Sequence, residues 1–331
     1  MLVLPTQHRN QNSTKRWWYA FALCLMICAG SSQAASLTRT DSAASEPQSA
    51  EHWLSAMVSA FSEQTYSGTF TYIRGSEFTT MQIAHDARNG PVKEAILRLN
   101  GPKIQIRRSG DVIVCHHEAA NPGSLRHDVL LGPFSQSFND LIQQSSRFYE
   151  LRLSGEGRIA NRSAVRLSIQ PVKDDRFGYF LWIDRETGLL LQSHLLERGR
   201  VKEVFSFSQI EFDQISEDAF ASLDETRTVS HRLTDDVIEK DAKPTFKVRW
   251  LPAGFRVVRQ AGNRVHFSDG LVNFSVFLEP KKGLPNLATQ VRGRTIVTRT
   301  LKNQQGQVTI IGGLPVVTAQ KLAESVEPIL Y

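Results

Sequence analysis

Apolar positions recur every third or fourth residue at the start of the ordered pattern. Trp53, Met57 and Phe61 define a stripe that Leu54 and Val58 widen, which predicts a helix packed on a sheet. From Tyr66 the period changes to two. Tyr66–Arg74 (YSGTFTYIR) alternates β-branched and aromatic residues with small ones, and Gly75-Ser76 turns the chain into residues 78–85. Asn89-Gly90-Pro91, Asn100-Gly101-Pro102 and Ser109-Gly110-Asp111 separate further short runs. Turn residues between short alternating runs predict an antiparallel meander. Residues 118–150 are less regular, with one short helix expected near 139–148. The meander resumes at Arg152, passes through Gly178–Asp184 (GYFLWID) and the turn Arg185-Glu186-Thr187-Gly188, and ends in residues 201–212. About nine strands exceed what a flat sheet usually carries, so a strongly curved sheet or partial barrel is expected.

The pattern changes again at residues 213–245, which are acidic and polar. A short helix is expected near 217–223, and the rest reads as an interdomain linker. From Phe246 a second strand-rich unit follows, with runs at 248–251, 255–260, 264–268, 272–278, 295–301 and 307–311. Residues 315–326 read as a closing helix with Val316, Ala319, Leu322, Ala323 and Val326 on one face. The fold class is therefore α+β: a large curved antiparallel sheet with helical cover over residues 50–222, a linker over 223–245, and a smaller antiparallel α+β domain over 246–331.

The N-terminus carries a different signal. Lys15-Arg16 precedes the apolar run 17–29 (WWYAFALCLMICA), and Ser32-Gln33-Ala34 supplies small residues for a signal peptidase. Residues 1–34 read as a secretory signal peptide cleaved after Ala34. A retained anchor is the rival reading, but the run is shorter than the roughly 20 residues a spanning helix needs. Lipoprotein processing at Cys28 is disfavoured by Ile27, where a lipobox wants Gly, Ala or Ser. The mature protein is expected to be exported.

Charge sharpens the division into two units. Residues 35–239 hold 22 Lys/Arg against 28 Asp/Glu, and residues 240–331 hold 14 against 5. An acidic part and a basic part point to different partners. An exported protein does not normally meet nucleic acid, so the anions on offer are phosphorylated lipid headgroups and acidic proteins. Cys24 and Cys28 leave with the signal, and the remaining Cys115 has no partner for an intramolecular disulfide. Its neighbours His116 and His117 point to alternate faces of a strand, so the three do not converge on one metal ion.

No zinc-binding HExxH, nucleophile elbow, phosphate loop or dinucleotide glycine fingerprint is present. No catalytic residue, cofactor site or metal site is assigned, and the chain is expected not to be an enzyme. Binding remains. Alternation assigns Phe70, Tyr72, Met81, Ile83, Phe180 and Trp182 to an enclosed face that fits one or two acyl chains, each buried CH₂ contributing about 0.8 kcal/mol. An ordinary solid core is the other reading of the same residues. In the second unit, Arg249, Arg256, Arg259, Arg264, Lys281, Lys282, Arg292, Arg294 and Arg299 lie on strands or at their ends. Clustered on one face they would select an acidic partner.

Several segments resemble the sigma-E factor regulatory protein family (RseB, also called MucB). HWLSAMVSAFSEQTYSGTFTYIRG, RLNGPKIQIRR, LWIDRETGLLLQSHLLERGRVKEVFSFSQIEF, WLPAGFRV, FSDGLVNFSVFLE and VTIIGGLPVVTAQKLAESVEP occur in the family's order and spacing. The resemblance implies an unclosed, lipoprotein-carrier-like barrel plugged by helices, followed by a partner-binding domain. It further implies a negative regulator that holds the periplasmic part of a transmembrane anti-sigma factor and shields it from site-1 proteolysis. Envelope stress, sensed as lipopolysaccharide or lipoprotein, would release it. A periplasmic lipoprotein or lipid carrier or chaperone is the alternative, and homo-oligomerisation stays open. Gly313 stands where the family often has an acidic residue before the Leu-Pro of the last helix.

Overall fold

The computed structural model describes residues 48–88, 90–110, 112–117, 147–220, 228–232, 243–280, 285–291, 294–301 and 306–329. The signal-peptide reading, residues 139–146 of the expected helix, and Lys281, Lys282 and Arg292 lie outside them.

The first helix, α1 (Ala50–Glu63), starts where Ser49 accepts a hydrogen bond from the His52 N–H at 3.1 Å. That side chain satisfies one of the donors a helix leaves open at its start. Trp53, Leu54, Met57 and Ala60 are buried on one side of the helix, and α1 lies against the strands Tyr149–Ile159 and Arg162–Pro171. Burying a side chain the size of Leu54 or Met57 contributes about 1.5–3 kcal/mol.

The strands that follow are β1 (Tyr66–Arg74), β2 (Glu77–Asp86), β3 (Lys93–Arg98), β4 (Ile104–Ser109) and β5 (Val112–His117). After them come β6 (Tyr149–Ile159), β7 (Arg162–Pro171), β8 (Gly178–Asp184), β9 (Leu190–Glu197) and β10 (Arg200–Phe212). Each set is a meander of antiparallel neighbours. The two meanders join through β1 and β10, paired from Tyr66↔Phe212 to Arg74↔Glu203 with an irregularity at Thr69/Phe70. Gly68 permits that close join, because a Cβ there would sit 2.4 Å from the Gln209 carbonyl oxygen.

One further strand, β11 (Thr228–Arg232), pairs with β5 inside the stretch read as linker. Its alternation is short and polar, and its ladder comes from the free edge that β5 offers. The helix expected near 217–223 is a single 3-10 turn, Glu217–Phe220. The eleven strands run β11-β5-β4-β3-β2-β1-β10-β9-β8-β7-β6, so the sheet is not closed. It is nonetheless strongly curved. β6 touches β10 across four strand spacings, about 19 Å in a flat sheet. The Arg162 guanidinium at the start of β7 sits 4.7 Å from the Phe212 ring centre on β10.

The Trp-Ile-Asp strand and its Thr-Gly turn form a compact lock. Asp184 Oδ1 accepts from the N–H groups of Glu186 and Thr187 at 3.0 and 2.9 Å, and Oδ2 accepts from Arg162 Nε at 2.5 Å. Gly188 turns at φ +75° against α1, 3.0 Å from the Ala56 carbonyl for a would-be Cβ. Burial alone would raise the Asp184 carboxyl, but the Arg162 and Thr187 hydrogen bonds outweigh it and hold its pKa below the usual value.

The smaller domain has two sheets. β12 (Phe246–Val248) pairs with β19 (Val326–Pro328). The other sheet comprises β13 (Arg256–Ala261), β14 (Arg264–Ser268), β15 (Asn273–Pro280), β16 (Leu287–Val291), β17 (Arg294–Thr300) and β18 (Gly306–Gly312), in the order β13-β14-β15-β18-β17-β16. β16 was not expected from the sequence. Helix α2 (Val316–Glu324) packs Thr318, Ala319, Leu322 and Ala323 onto this sheet. The face beneath it carries Val265, Phe267, Phe274, Val276, Val297 and Ile310, with Phe267 and Phe274 stacked at 5.1 Å. The helix is shorter than the pattern suggested, because Ser325 closes it on the Leu322 carbonyl and Val326 enters β19.

Candidate functional site

Cross-strand register fixes which side chains share the inner face of the larger sheet, since residues directly opposite each other point the same way. Phe70 is opposite Met81, and Ile83 is opposite Ile96, which is opposite Ile106. Tyr72 is opposite Phe205, Phe205 opposite Ser193, Ser193 opposite Leu181 and Leu181 opposite Leu167. Phe70 and Ile83 are buried, while Tyr72 and Met81 are half-buried against them. Phe70, Phe205 and Phe207 form an aromatic cluster with ring centres 5.1–5.8 Å apart.

Phe180 and Trp182 are elsewhere, and the expectation that they line the enclosed face is corrected. They alternate with Leu181 and Ile183, which are fully buried, so they point to the reverse face. There Trp182 meets the His194 ring at 4.6 Å, and the Arg166 guanidinium lies over both aromatics at 5.3 and 6.0 Å. All but the last residue of Tyr179–Asp184 are apolar, so alternation within β8 cannot choose a face. The polar partners on β7 and β9 do.

Two polar clusters end the apolar rows. His85 stacks on Tyr66 at 5.0 Å, and its Nδ1 lies 2.8 Å from the Gln64 carbonyl. Burial is the largest influence on His85 and lowers its pKa, so the ring is neutral near pH 7. At the other end Tyr72 donates to Glu203, and Arg74 Nε lies 3.0 Å from the same carboxylate. Burial raises the Glu203 carboxyl above its usual value, against the opposing pull of Arg74.

The two domains meet at a buried polar junction that sequence pattern did not reveal. Asp269, in the β14–β15 turn, accepts from Tyr149 Oη and Arg176 Nη1, each at 2.8 Å. Its other oxygen accepts from the Leu271 and Val272 N–H groups at 3.0 and 2.8 Å. Arg176 Nη2 also donates to the Ala253 carbonyl at 2.6 Å, and the guanidinium is 5.1–5.4 Å from the rings of Phe148, Tyr149 and Phe255. Arg176 is 4% exposed and Asp269 3%. Burial, then the Asp269 charge, pushes the Tyr149 hydroxyl well above its ordinary pKa. These residues sit in or beside three separate loops, so no periodicity connects them.

In the smaller domain, register also sorts the expected cations. Arg256 is opposite Ser268, Arg259 opposite His266, and Arg264 opposite Phe277; these strand positions and Arg294 on β17 share the sheet face away from α2. Arg299 faces α2 and pairs with Glu324, while Arg249 lies outside this sheet and pairs with Glu327 at 2.7 Å. The structure therefore brings four of the six described arginines to one face. Among the described residues no group of three or more His, Cys, Asp or Glu converges on a metal position. No described helix is long and apolar enough to cross a membrane.

An open curved sheet joined through a buried ion pair to a smaller sheet with a basic face defines a two-domain binding protein. The chain belongs to the MucB/RseB family: the family's N-terminal domain model matches residues 49–231 and its C-terminal domain model residues 240–327. It is 32% identical to the sigma factor AlgU regulatory protein MucB of Pseudomonas aeruginosa over 302 residues, covering 86% of this chain and 93% of that protein. The Pseudomonas aeruginosa MucA/MucB complex structure superposes with a TM-score of 0.70 at 29% identity, covering 85% of this chain and 99% of that one. A crystal structure of MucB with MucA(peri) gives a TM-score of 0.68 at 30% identity, covering 85% of this chain and all of that one.

Proposed function

We propose that this chain is a periplasmic negative regulator that binds the periplasmic part of a transmembrane anti-sigma factor. Bound there, it shields the anti-sigma factor from site-1 proteolysis, and lipopolysaccharide or lipoprotein acyl chains release it during envelope stress. The observation that carries this reading is the match over both domains to MucB, whose solved complexes hold MucA. The geometry supports a division of labour. In this reading acyl chains enter the inner face beside the half-buried Tyr72 and Met81, parting the packing around the buried Phe70 and Ile83, and the face with Arg256, Arg259, Arg264 and Arg294 receives an acidic protein. The Arg176–Asp269 junction links the two, so a change of fit in one sheet is felt by the other.

The test is a pull-down of the mature chain from envelope extract, with and without lipopolysaccharide. Retention of an anti-sigma factor that lipopolysaccharide diminishes is the expected result. Equal retention rejects the release step. Stoichiometric lipoprotein with no anti-sigma factor favours the carrier reading.

A further inference from the structure

The smaller sheet is open along β16. Among the described residues this strand ends the strand order and pairs with β17 alone, from Leu287↔Thr298 to Val291↔Arg294, without a register shift. An antiparallel edge strand turns the N–H and C=O groups of alternate residues away from its partner. Natural sheets usually blunt such edges with charge, proline, bulges or a covering element. β16 (LATQV) has no charged residue and no proline, and Leu287 and Val291 are each 47% exposed.

Both ends of the edge run into hollows. Beside Leu287 a groove of about 730 Å³ opens between β16, β17 and α2, with Val297 and Val317 as apolar walls, the Arg299–Glu324 ion pair and the Lys321 ammonium. Val317 stands 65% exposed on α2. Beside Gln290 and Val291 a second hollow of about 380 Å³ lies between the domains, walled by Phe177 and Leu195 and flanked by Glu77 and by Arg74 and Lys202, which pair with Glu203 and Glu197. The five residues between them offer about 17 Å of edge.

We propose that β16 is a docking edge for an extended, acidic segment of a protein partner, which adds to the sheet as a seventh strand. Main-chain hydrogen bonds to β16 supply affinity, and alternate apolar side chains enter the two hollows. Carboxylates flanking the segment meet Lys321 at one end and Lys202 at the other. Charge selects this occupant over a second copy of the chain. Residues 240–331 hold 14 Lys/Arg against 5 Asp/Glu, so two copies placed edge to edge would bring like charge together. The proposal rests on the anti-sigma reading above and adds which edge holds the partner.

The test uses the mature full chain and the periplasmic region of Pseudomonas aeruginosa MucA as probe. Binding is measured by titration, and amide hydrogen exchange is followed in the free and bound states. The double variant Leu287→Asp/Val317→Asp changes only exposed side chains, and Val201→Asp, at the equally exposed start of β10, is the control. The proposal expects slower exchange along residues 287–291 on binding, at least a tenfold loss of affinity in the double variant, and little change in the control. Wild-type binding with unchanged exchange at β16 and full affinity in the double variant overturns the docking edge and leaves the anti-sigma reading standing. Absence of wild-type binding overturns both. A chain that sediments as a dimer, becomes monomeric in the double variant and binds MucA equally in both forms assigns the edge to a second copy instead.

Discussion

In the larger sheet β6 curls back to β10, and the inner face closes over Phe70, Ile83 and Leu181; in the smaller sheet β16 stays open and keeps Leu287 and Val291 in solvent. Both are antiparallel sheets with a helix on one face. The first spends its apolar side chains on its own interior, while the second keeps some of them in solvent beside an edge that no other described strand pairs with. Curvature is the physical difference. Eleven strands with the accumulated twist of a large sheet bring distant strands together, whereas six strands under α2 need not close. The two domains meet at the buried Tyr149–Arg176–Asp269 junction.

Cutting that junction is expected to have the largest effect. Arg176→Ala leaves the Asp269 carboxylate buried without its cation, which costs about 3–5 kcal/mol. Denaturant unfolding is expected to show the loss, and to separate into two transitions if each sheet folds alone. A single unchanged transition would mean that the junction does not couple the domains.

The Asp184 lock tests the larger sheet by itself. Asp184→Asn keeps the shape but loses the charge-assisted bond to Arg162, a cost of about 1–3 kcal/mol. The pH dependence follows from the lowered pKa. Stability from the Asp184 carboxylate is fully present above the unfolded value of about 3.9 and is lost as pH falls through the lower folded value. Acid unfolding of wild type and Asp184→Asn should therefore converge at low pH and diverge above about pH 4. A constant gap across the acid range would remove the carboxylate from the account.

The basic face is a smaller effect and a kinetic one. Charge reversal at Arg256 and Arg264 is expected to slow association with the MucA periplasmic region about three- to tenfold at low salt and to flatten its salt dependence. Stopped-flow association rates across an ionic-strength series check this. The smallest expected effect belongs to Gly313→Asp. A Cβ at Gly313 meets nothing closer than Val272 Cγ1 at 3.5 Å, and α2 has no acidic residue in its first turn. The added charge near the helix start should stabilise by about 0.3–1 kcal/mol at low salt, read as a small rise in Tm.

Much of the architecture was legible because local signals agreed. Gly-Ser, Asn-Gly-Pro and Thr-Gly punctuation marks the hairpins, and the Trp53–Met57 stripe marks α1. What failed to show has physical reasons. β11 has a weak polar pattern and owes its ladder to the β5 edge. β16 is a five-residue strand that begins two residues after Pro285, too short for alternation to mark it. The faces of Phe180 and Trp182 depend on partners in β7 and β9, which alternation inside β8 does not contain. The Tyr149–Arg176–Asp269 junction joins residues far apart in sequence, and only the assembled domains bring them together.

In the proposed function an acyl ligand on the inner face and a protein held by the basic domain oppose each other through one coupled molecule. Dissociation constants answer it directly: MucA periplasmic region with and without saturating lipopolysaccharide, and lipopolysaccharide with and without saturating MucA. The account predicts that each weakens the other by the same factor, as linkage requires. Two constants that do not move when the other ligand is present would contradict it.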